Sequence, residues 1–107
     1  MSNRSITVAE RIVRWTTQFA KWFSSLKDQS TKVRLLRRLR RLQQGLYGDV
    51  LSVGDGVFEM REFFGPGWRM YYIEHKECTV IMLVGGDKST QVTDIRIAKN
   101  LAATLED

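Results

Sequence analysis

Three cations in the middle of the chain have the spacing of a phosphate-binding group. Arg61 precedes the Gly-Pro-Gly turn at 65–67, Arg69 follows it, and Lys88 stands where a later apolar segment ends. An arginine within a small sheet is costly to bury unless its face meets water or an anion. A guanidinium can also donate two parallel hydrogen bonds to phosphate oxygens. The pattern therefore indicates a sheet with an anion-binding face.

The strand pattern predicts which side chains share that face. A three-residue turn at 65–67 sets Phe63 opposite Arg69 and Arg61 opposite Tyr71. Because strand side chains alternate between faces, these four residues lie together, and we expect their face to be uncovered. The opposite face, under the helices, is expected to hold Met60, Met70 and Tyr72.

Each cation also has a purely structural explanation. Glu59 and Glu74 are close enough in sequence to pair with the arginines in ordinary surface ion pairs. Lys88 follows two glycines at a strand-to-helix junction, where a backbone can approach an anion. A plain turn accounts for the same residues, and the spacing of a Walker A loop is absent. The residues alone leave both explanations open.

Positive charge is concentrated in the first 44 residues. They carry 11 basic and 2 acidic side chains, whereas residues 45–107 carry 6 and 10, so balances of +9 and −4 make the net charge of +5. Such a local basic face suits a polyanion such as nucleic acid or an acidic protein partner, although a charge run is also typical of a solvated helix face. The residues expected to bind a nucleic acid here are Arg34, Arg37, Arg38 and Arg41.

Composition narrows the class of protein. A chain of 107 residues predicts one domain over 1–107, with a flexible tail at 1–5. It has no apolar run of about 20 residues and no recognisable secretory signal, so we expect a cytoplasmic protein without a membrane partner. With one histidine and one cysteine, a usual zinc site is excluded, and we expect no metal and no cofactor. Cys78 is predicted to be a buried thiol.

The elements that must position the cations predict an α+β fold. An N-terminal helical hairpin is expected to pack on an antiparallel sheet of three to four strands, with a C-terminal helix. Trp15, Phe19, Trp22 and Leu26 mark the first helix, capped by Thr16 or Thr17. The remaining elements are a possible edge strand at 5–15, a second helix at 31–44, a loop at 45–56, strands at 57–64, 68–74 and 79–85, and a helix at 92–105.

Residues 16–105 resemble the RelE/ParE toxin superfamily, in particular its HigB-like, phage-derived "addiction module killer protein" branch. The motifs that carry the resemblance are Phe19, Trp22, 26–28 (LKD), 48–49 (GD), 53–57 (VGDGV), 59–61 (EMR), 65–71 (GPGWRMY) and 85–91 (GGDKSTQ). The resemblance implies the fold above and the toxin of a type II toxin–antitoxin system, typically a ribosome-dependent mRNA endonuclease. Its implied partners are a helix-turn-helix antitoxin, the ribosome and mRNA.

By the same resemblance, Arg61, Arg69 and Lys88 become the catalytic, phosphate-handling residues. Without a metal, RNA cleavage uses the RNA's own 2′-OH as nucleophile and leaves a 2′,3′-cyclic phosphate and a 5′-OH. Fixed cations stabilise the negative charge that builds up on the phosphate. Tyr71 or Glu59 could assist proton transfer, whereas His75 lies in the distal hairpin turn, away from Arg61.

Two alternatives stay open. Leu51 stands where such toxins usually carry a lysine, which questions the contribution of its loop to catalysis. The superfamily also contains gyrase-directed toxins on the same fold. The chain could therefore be a toxin that binds a protein target, or an inactive RNA-binding member.

Overall fold

A five-stranded sheet lies between two layers of helix in this computed structural model, which describes residues 10–105. The strand order is β1-β5-β4-β3-β2; β1 runs parallel to β5, and every other pair is antiparallel. The elements are β1 (Ile12–Trp15), α1 (Thr17–Ser25), α2 (Gln29–Gln43), β2 (Val50–Gly54), β3 (Val57–Arg61), β4 (Trp68–His75), β5 (Thr79–Asp87), a 3-10 turn (Lys88–Thr90) and α3 (Gln91–Thr104).

The predicted α+β architecture is confirmed, with its helical hairpin and C-terminal helix, but the sheet has more strands than expected. Residues 50–54 were predicted as loop and form β2, the edge strand beside β3. Gly54 and Gly56 masked this strand in the sequence, because glycine usually signals a turn. The part of the predicted strand at 5–15 that precedes Glu10, and the predicted tail at 1–5, lie outside the described residues.

Side-chain caps set the starts of both N-terminal helices. The hydroxyl of Thr16 accepts from the backbone N–H of Phe19, and the carboxylate of Asp28 accepts from that of Thr31. Each cap pairs an N–H that has no partner inside its helix. Trp15 was predicted on the first helix and instead ends β1, where its ring lies 4.9 Å from that of Phe19.

The two faces of the sheet carry different side chains. The face under α1 and α2 is apolar; its fully buried members include Phe19, Leu35, Leu42, Met60, Met70 and Met82. The face under α3 mixes apolar and polar groups. Its buried residues are Val57, Tyr71, Leu83, Val84, Ala98 and Ala102, together with Glu59 and Arg69.

The pairing of β3 with β4 corrects the predicted register. Arg61 lies opposite Arg69, and Glu59 lies opposite Tyr71, so the register differs by two residues from the prediction. A shift of two keeps every side chain on its predicted face. The turn becomes the β3–β4 loop (residues 62–67), which includes Phe63. The face itself is not open as predicted, because α3 covers it.

Two glycines of β5 allow helices to approach the sheet from both sides. A Cβ on Gly85 would lie 2.3 Å from the ring of Trp22 in α1, and one on Gly86 would lie 1.9 Å from the carboxylate of Asp94 in α3. Neither distance is possible for a real side chain. Both helical layers are therefore in close contact with the same point of β5.

The prediction that Cys78 is buried is wrong. Cys78 is exposed and lies in the turn between β4 and β5, with a left-handed φ of 59°. It was predicted to be buried because it sits among strand residues, but β4 ends at His75 and β5 begins at Thr79, so Cys78 falls in the turn between them. Within residues 10–105, no helix is long and apolar enough to span a membrane.

Candidate anion-binding site

The three predicted cations meet at one end of the sheet. Arg61 is the last residue of β3, Arg69 is the second of β4, and Lys88 directly follows β5. Arg69 pairs with Arg61 on one side and with Gly86 on the other. The stem of Lys88 packs beside Gly67 of the β3–β4 loop. The topology thus brings the three backbones together, while their side chains take different directions.

Arg69 points inward and is only 6% exposed. Its Nη1 donates to the carbonyl oxygens of Glu62, Gly67 and Trp68, each at 3.2 Å. Its Nε lies 3.9 Å from Oε2 of Glu59 and has no hydrogen-bond partner among the described residues. In this arrangement Arg69 holds the β3–β4 loop from beneath, and its predicted contact with phosphate stays a prediction.

Glu59 is the centre of a buried polar cluster under α3. Its Oε2 accepts from the hydroxyl of Tyr71 at 2.9 Å and from the side-chain amide of Gln91 at 2.7 Å. Burial, helped by the hydrogen bond and charge of Glu59, raises the pKa of Tyr71 far above its ordinary value. The Tyr71 hydroxyl therefore stays protonated and donates a hydrogen bond to the Glu59 carboxylate. Neither side chain reaches solvent, unlike the open face that was predicted.

Arg61 is the arginine that remains accessible, with 33% of its side chain exposed. Its Nε and Nη2 donate to the two carboxylate oxygens of Asp49, at 3.2 and 3.1 Å. These hydrogen bonds and the charge of Asp49 raise the pKa of Arg61, so the guanidinium stays charged. The pair uses two of five N–H donors and fixes the plane of the guanidinium. Asp49 was not predicted as a site residue, although it lies within a motif of the resemblance.

Lys88 is exposed in the 3-10 turn that leads into α3. Asp87 caps this turn by accepting from the N–H of Ser89 at 2.8 Å, and the hydrogen bonds from Ser89 lower the pKa of Asp87. Thr90 precedes α3, but its hydroxyl donates to Asp94 at 2.6 Å and accepts no capping hydrogen bond from the backbone of the helix.

The four arginines of α2 that were predicted to bind nucleic acid divide into one structural residue and three accessible ones. Arg38 donates to the carbonyls of Tyr47, Asp49 and Arg61 and forms an ion pair with Glu62. It therefore ties α2 to the neighbouring loops, and its guanidinium is largely occupied. A shallow concavity of about 210 Å³ lies beside it. The arginines that stay exposed along this surface are Arg34, Arg37 and Arg41.

The other residues singled out in the sequence lie away from the cations. Leu51 is half exposed on the edge strand β2, opposite Glu59. His75 ends β4 at the far end of the sheet from Arg69. No group of three or more His, Cys, Asp or Glu side chains that could hold a metal occurs within residues 10–105.

The fold and the site define a RelE-like α+β protein. A mutant of the E. coli toxin RelE in the free state is similar with a TM-score of 0.67 and 10% identity, over 91% of this chain and 99% of that one. The RelBE2 toxin–antitoxin complex of Mycobacterium tuberculosis has a TM-score of 0.61 and 19% identity, over 74% of this chain and 99% of that one. The intact E. coli RelBE toxin–antitoxin complex has a TM-score of 0.58 and 15% identity, over 72% of this chain and 95% of that one. At these identities the likeness shows the fold.

Sequence comparison identifies the family. Residues 21–103 match the family described as "Phage derived protein Gp49-like (DUF891)". An uncharacterized protein of Haemophilus influenzae is 45% identical over 93 residues, which is 87% of this chain and 94% of that protein. The chain therefore belongs to the phage-derived Gp49-like family, within the RelE/ParE-like toxin superfamily. The narrower HigB-like assignment stays a prediction.

Proposed function

We propose that this protein is the toxin of a type II toxin–antitoxin system and that it cuts mRNA on the ribosome. The observation that carries the proposal is the convergence of Arg61, Arg69 and Lys88 at one end of a RelE-like sheet. Membership of the toxin superfamily supports the toxin role, and two similar structures are toxin–antitoxin complexes. The antitoxin partner that we propose is a helix-turn-helix protein, and the proposed location is the cytoplasm.

The proposed reaction is an in-line transfer within the RNA. The 2′-hydroxyl loses its proton to water as its oxygen forms a bond to phosphorus, and the bond from phosphorus to the 5′-oxygen breaks. The leaving 5′-oxygen takes up a proton, so the products are a 2′,3′-cyclic phosphate and a 5′-OH. Arg61 is accessible, charged and held in plane by Asp49, so it is the residue that we assign to the phosphate oxygens. Lys88, exposed on a flexible stem, neutralises the same charge or protonates the leaving oxygen.

Arg69 has a supporting role in this proposal. It holds three carbonyls around the β3–β4 loop, and Glu59 supplies the nearest negative charge. We accordingly assign Tyr71 and Glu59 to fixing Arg69 and α3, because both are buried. Much of the rate would come from the ribosome, which orients the 2′-OH for attack. The exposed arginines of α2 would dock on ribosomal RNA.

The test is induced expression followed by mapping of new mRNA 5′-OH ends. Wild type should stop growth and produce such ends. Arg61→Ala should reduce cleavage by about 10²–10³-fold, the usual loss of one preorganised charge donor. Arg96→Ala, which removes an exposed arginine from α3, is the matched control and should behave as wild type. Toxicity without new 5′-OH ends would exclude the nuclease.

Two observations favour the alternatives. Leu51 is apolar and Arg69 is turned inward, so the site presents fewer cations than its sequence suggests. A toxin that binds a protein target such as gyrase would stop growth in the Arg61→Ala variant too, and ribosomes supplied with the purified protein would leave mRNA intact. An inactive RNA-binding member would not be toxic in any form.

A further inference from the structure

The β3–β4 loop presents an apolar ring to solvent beside the proposed site. Phe63 is 75% exposed, although burying a phenylalanine is favourable by about 1.5–3 kcal/mol. Its neighbour Phe64 is instead packed against the apolar core, and the Arg34 guanidinium carbon lies 3.7 Å from its ring centroid. Two adjacent phenylalanines thus differ: one anchors the loop and the other remains uncovered.

The loop that carries Phe63 is held on both sides. From the sheet, Arg69 donates to the carbonyls of Glu62 and Gly67. From α2, Arg38 forms an ion pair with Glu62. Backbone bonds from Glu62 to Trp68 and from Gly67 to Phe64 close it. A ring on such a loop loses little conformational entropy when a ligand covers it.

The surroundings of Phe63 are cationic. The guanidinium carbon of Arg61 lies 5.7 Å from the Phe63 ring centroid. Gly67 of the loop lies beside the stem of Lys88, and Phe64 contacts Arg34 of the basic helix α2. An uncovered aromatic ring among cations matches single-stranded nucleic acid, in which bases stack on the ring and phosphates meet the charges.

We propose that Phe63 is a stacking platform for an unpaired RNA base next to the phosphate held by Arg61. This inference rests on the proposed function in taking RNA as the ligand, but it concerns binding and needs no cleavage. Stacking is largely insensitive to base identity, so Phe63 would position the strand and leave sequence preference to other contacts. The rigid loop would then set the distance between the stacked base and Arg61.

The test uses the full-length protein and a single-stranded oligonucleotide of about eight 2′-O-methyl nucleotides, within the range that one such surface covers. The blocked 2′-oxygen prevents cleavage, and a 2-aminopurine reports stacking by loss of fluorescence. Phe63→Ala should weaken binding by about tenfold and abolish the quenching, because one base–ring stack is lost. Phe63→Trp should bind within about twofold of wild type, and Phe63→Leu should behave like the alanine variant.

The control is Val92→Ala, which shortens a similarly exposed apolar side chain (80%) on α3. It should leave the affinity for the oligonucleotide and the fluorescence quenching unchanged. All variants should have the melting temperature of wild type, because the substituted positions are exposed. Equal quenching by wild type and Phe63→Ala would overturn the inference, and so would absence of quenching with wild type. Loss of antitoxin binding with normal RNA binding in Phe63→Ala would assign the ring to a protein and overturn it as well.

The two proposals can fail separately. If wild type stacks the base on Phe63 but produces no 5′-OH ends in cells, the nuclease fails and the platform stands. If wild type cleaves mRNA and Phe63→Ala cleaves it equally well, with unchanged binding, the platform fails and the nuclease stands.

Discussion

The two faces of the sheet bury different kinds of side chain. Under α1 and α2 the buried side chains are apolar, among them Met60 and Leu35. Under α3 the same strands bury Glu59 and Tyr71, which share a hydrogen bond, and Arg69, whose Nε lies 3.9 Å from the Glu59 carboxylate. Apolar burial stabilises without specifying one arrangement in detail, whereas a buried charge holds its position only if its partners are in place. The buried polar residues lie on β3 and β4 next to Arg61, so the buried charges are close to the accessible cations that they help to position.

The strongest test of this comparison removes the carboxylate of Glu59. Glu59→Ala leaves the Tyr71 hydroxyl and the Gln91 amide without an acceptor and Arg69 without its nearest negative charge. Loss of one partner of a buried pair typically costs about 3–5 kcal/mol. Urea denaturation measures the change. Glu59→Gln keeps an acceptor oxygen and should lose less; an equal loss would mean that the charge contributes nothing.

The matching test on the apolar face is Leu35→Ala. Leu35 is fully buried under α2, and removal of its side chain should cost about 2–5 kcal/mol through lost transfer energy and a cavity. Leu36→Ala on the same helix is the control, because Leu36 is 41% exposed and should lose less than about 1 kcal/mol. In contrast to Glu59→Ala, neither variant should alter the RNA binding measured for the β3–β4 loop.

Smaller losses of stability should distinguish the two faces at the glycines of β5. Gly85→Ala forces its Cβ against the Trp22 ring and should cost about 1–3 kcal/mol, the usual range for overpacking. Gly86→Ala meets the end of the Asp94 side chain, which can rotate away at the loss of its hydrogen bond from Thr90. Thermal melting should therefore rank Gly85→Ala as the more damaging. The reverse order would show that the α3 face is the less adaptable one.

The smallest predicted effect concerns acid. Asp28 caps α2 and Asp87 caps the 3-10 turn before α3. Hydrogen bonds from neighbouring hydroxyl and N–H groups lower the pKa of both below the ordinary 3.8. Their contribution to stability is therefore complete above that value and is lost as the pH falls through the folded-state pKa. Asn at either position keeps an acceptor but does not titrate. Below about pH 4, the melting temperature of each Asn variant should fall less steeply with decreasing pH than that of wild type. An unchanged pH dependence would mean that the two carboxylates do not stabilise the helix starts.

The features of the fold that follow from periodic sequence patterns could be predicted. Apolar spacing located α2 and α3, and strand alternation put Arg61, Arg69 and Tyr71 on one face even though the register was wrong by two. Periodicity shows which stripe of a helix is apolar, but it does not show which face of the sheet the helix will cover. The covering of the arginine face by α3 therefore could not be seen.

The directions of individual side chains could not be predicted either. Arg69 and Arg38 look like their exposed neighbours in sequence, yet both turn inward because backbone carbonyls of loops lie within reach. Those carbonyls come together only in the folded chain. Phe63 was placed in a strand by alternation, and the longer loop instead leaves it exposed beside Arg61.

The turn at Cys78 has a practical consequence. The chain carries one cysteine, and its thiol is exposed at the end of the sheet opposite Arg69 and Lys88. A maleimide fluorophore would therefore attach at a single known position without touching the cations or the β3–β4 loop. Energy transfer from that dye to a labelled RNA or to a ribosome would report the orientation in which the protein docks, with no engineered residue.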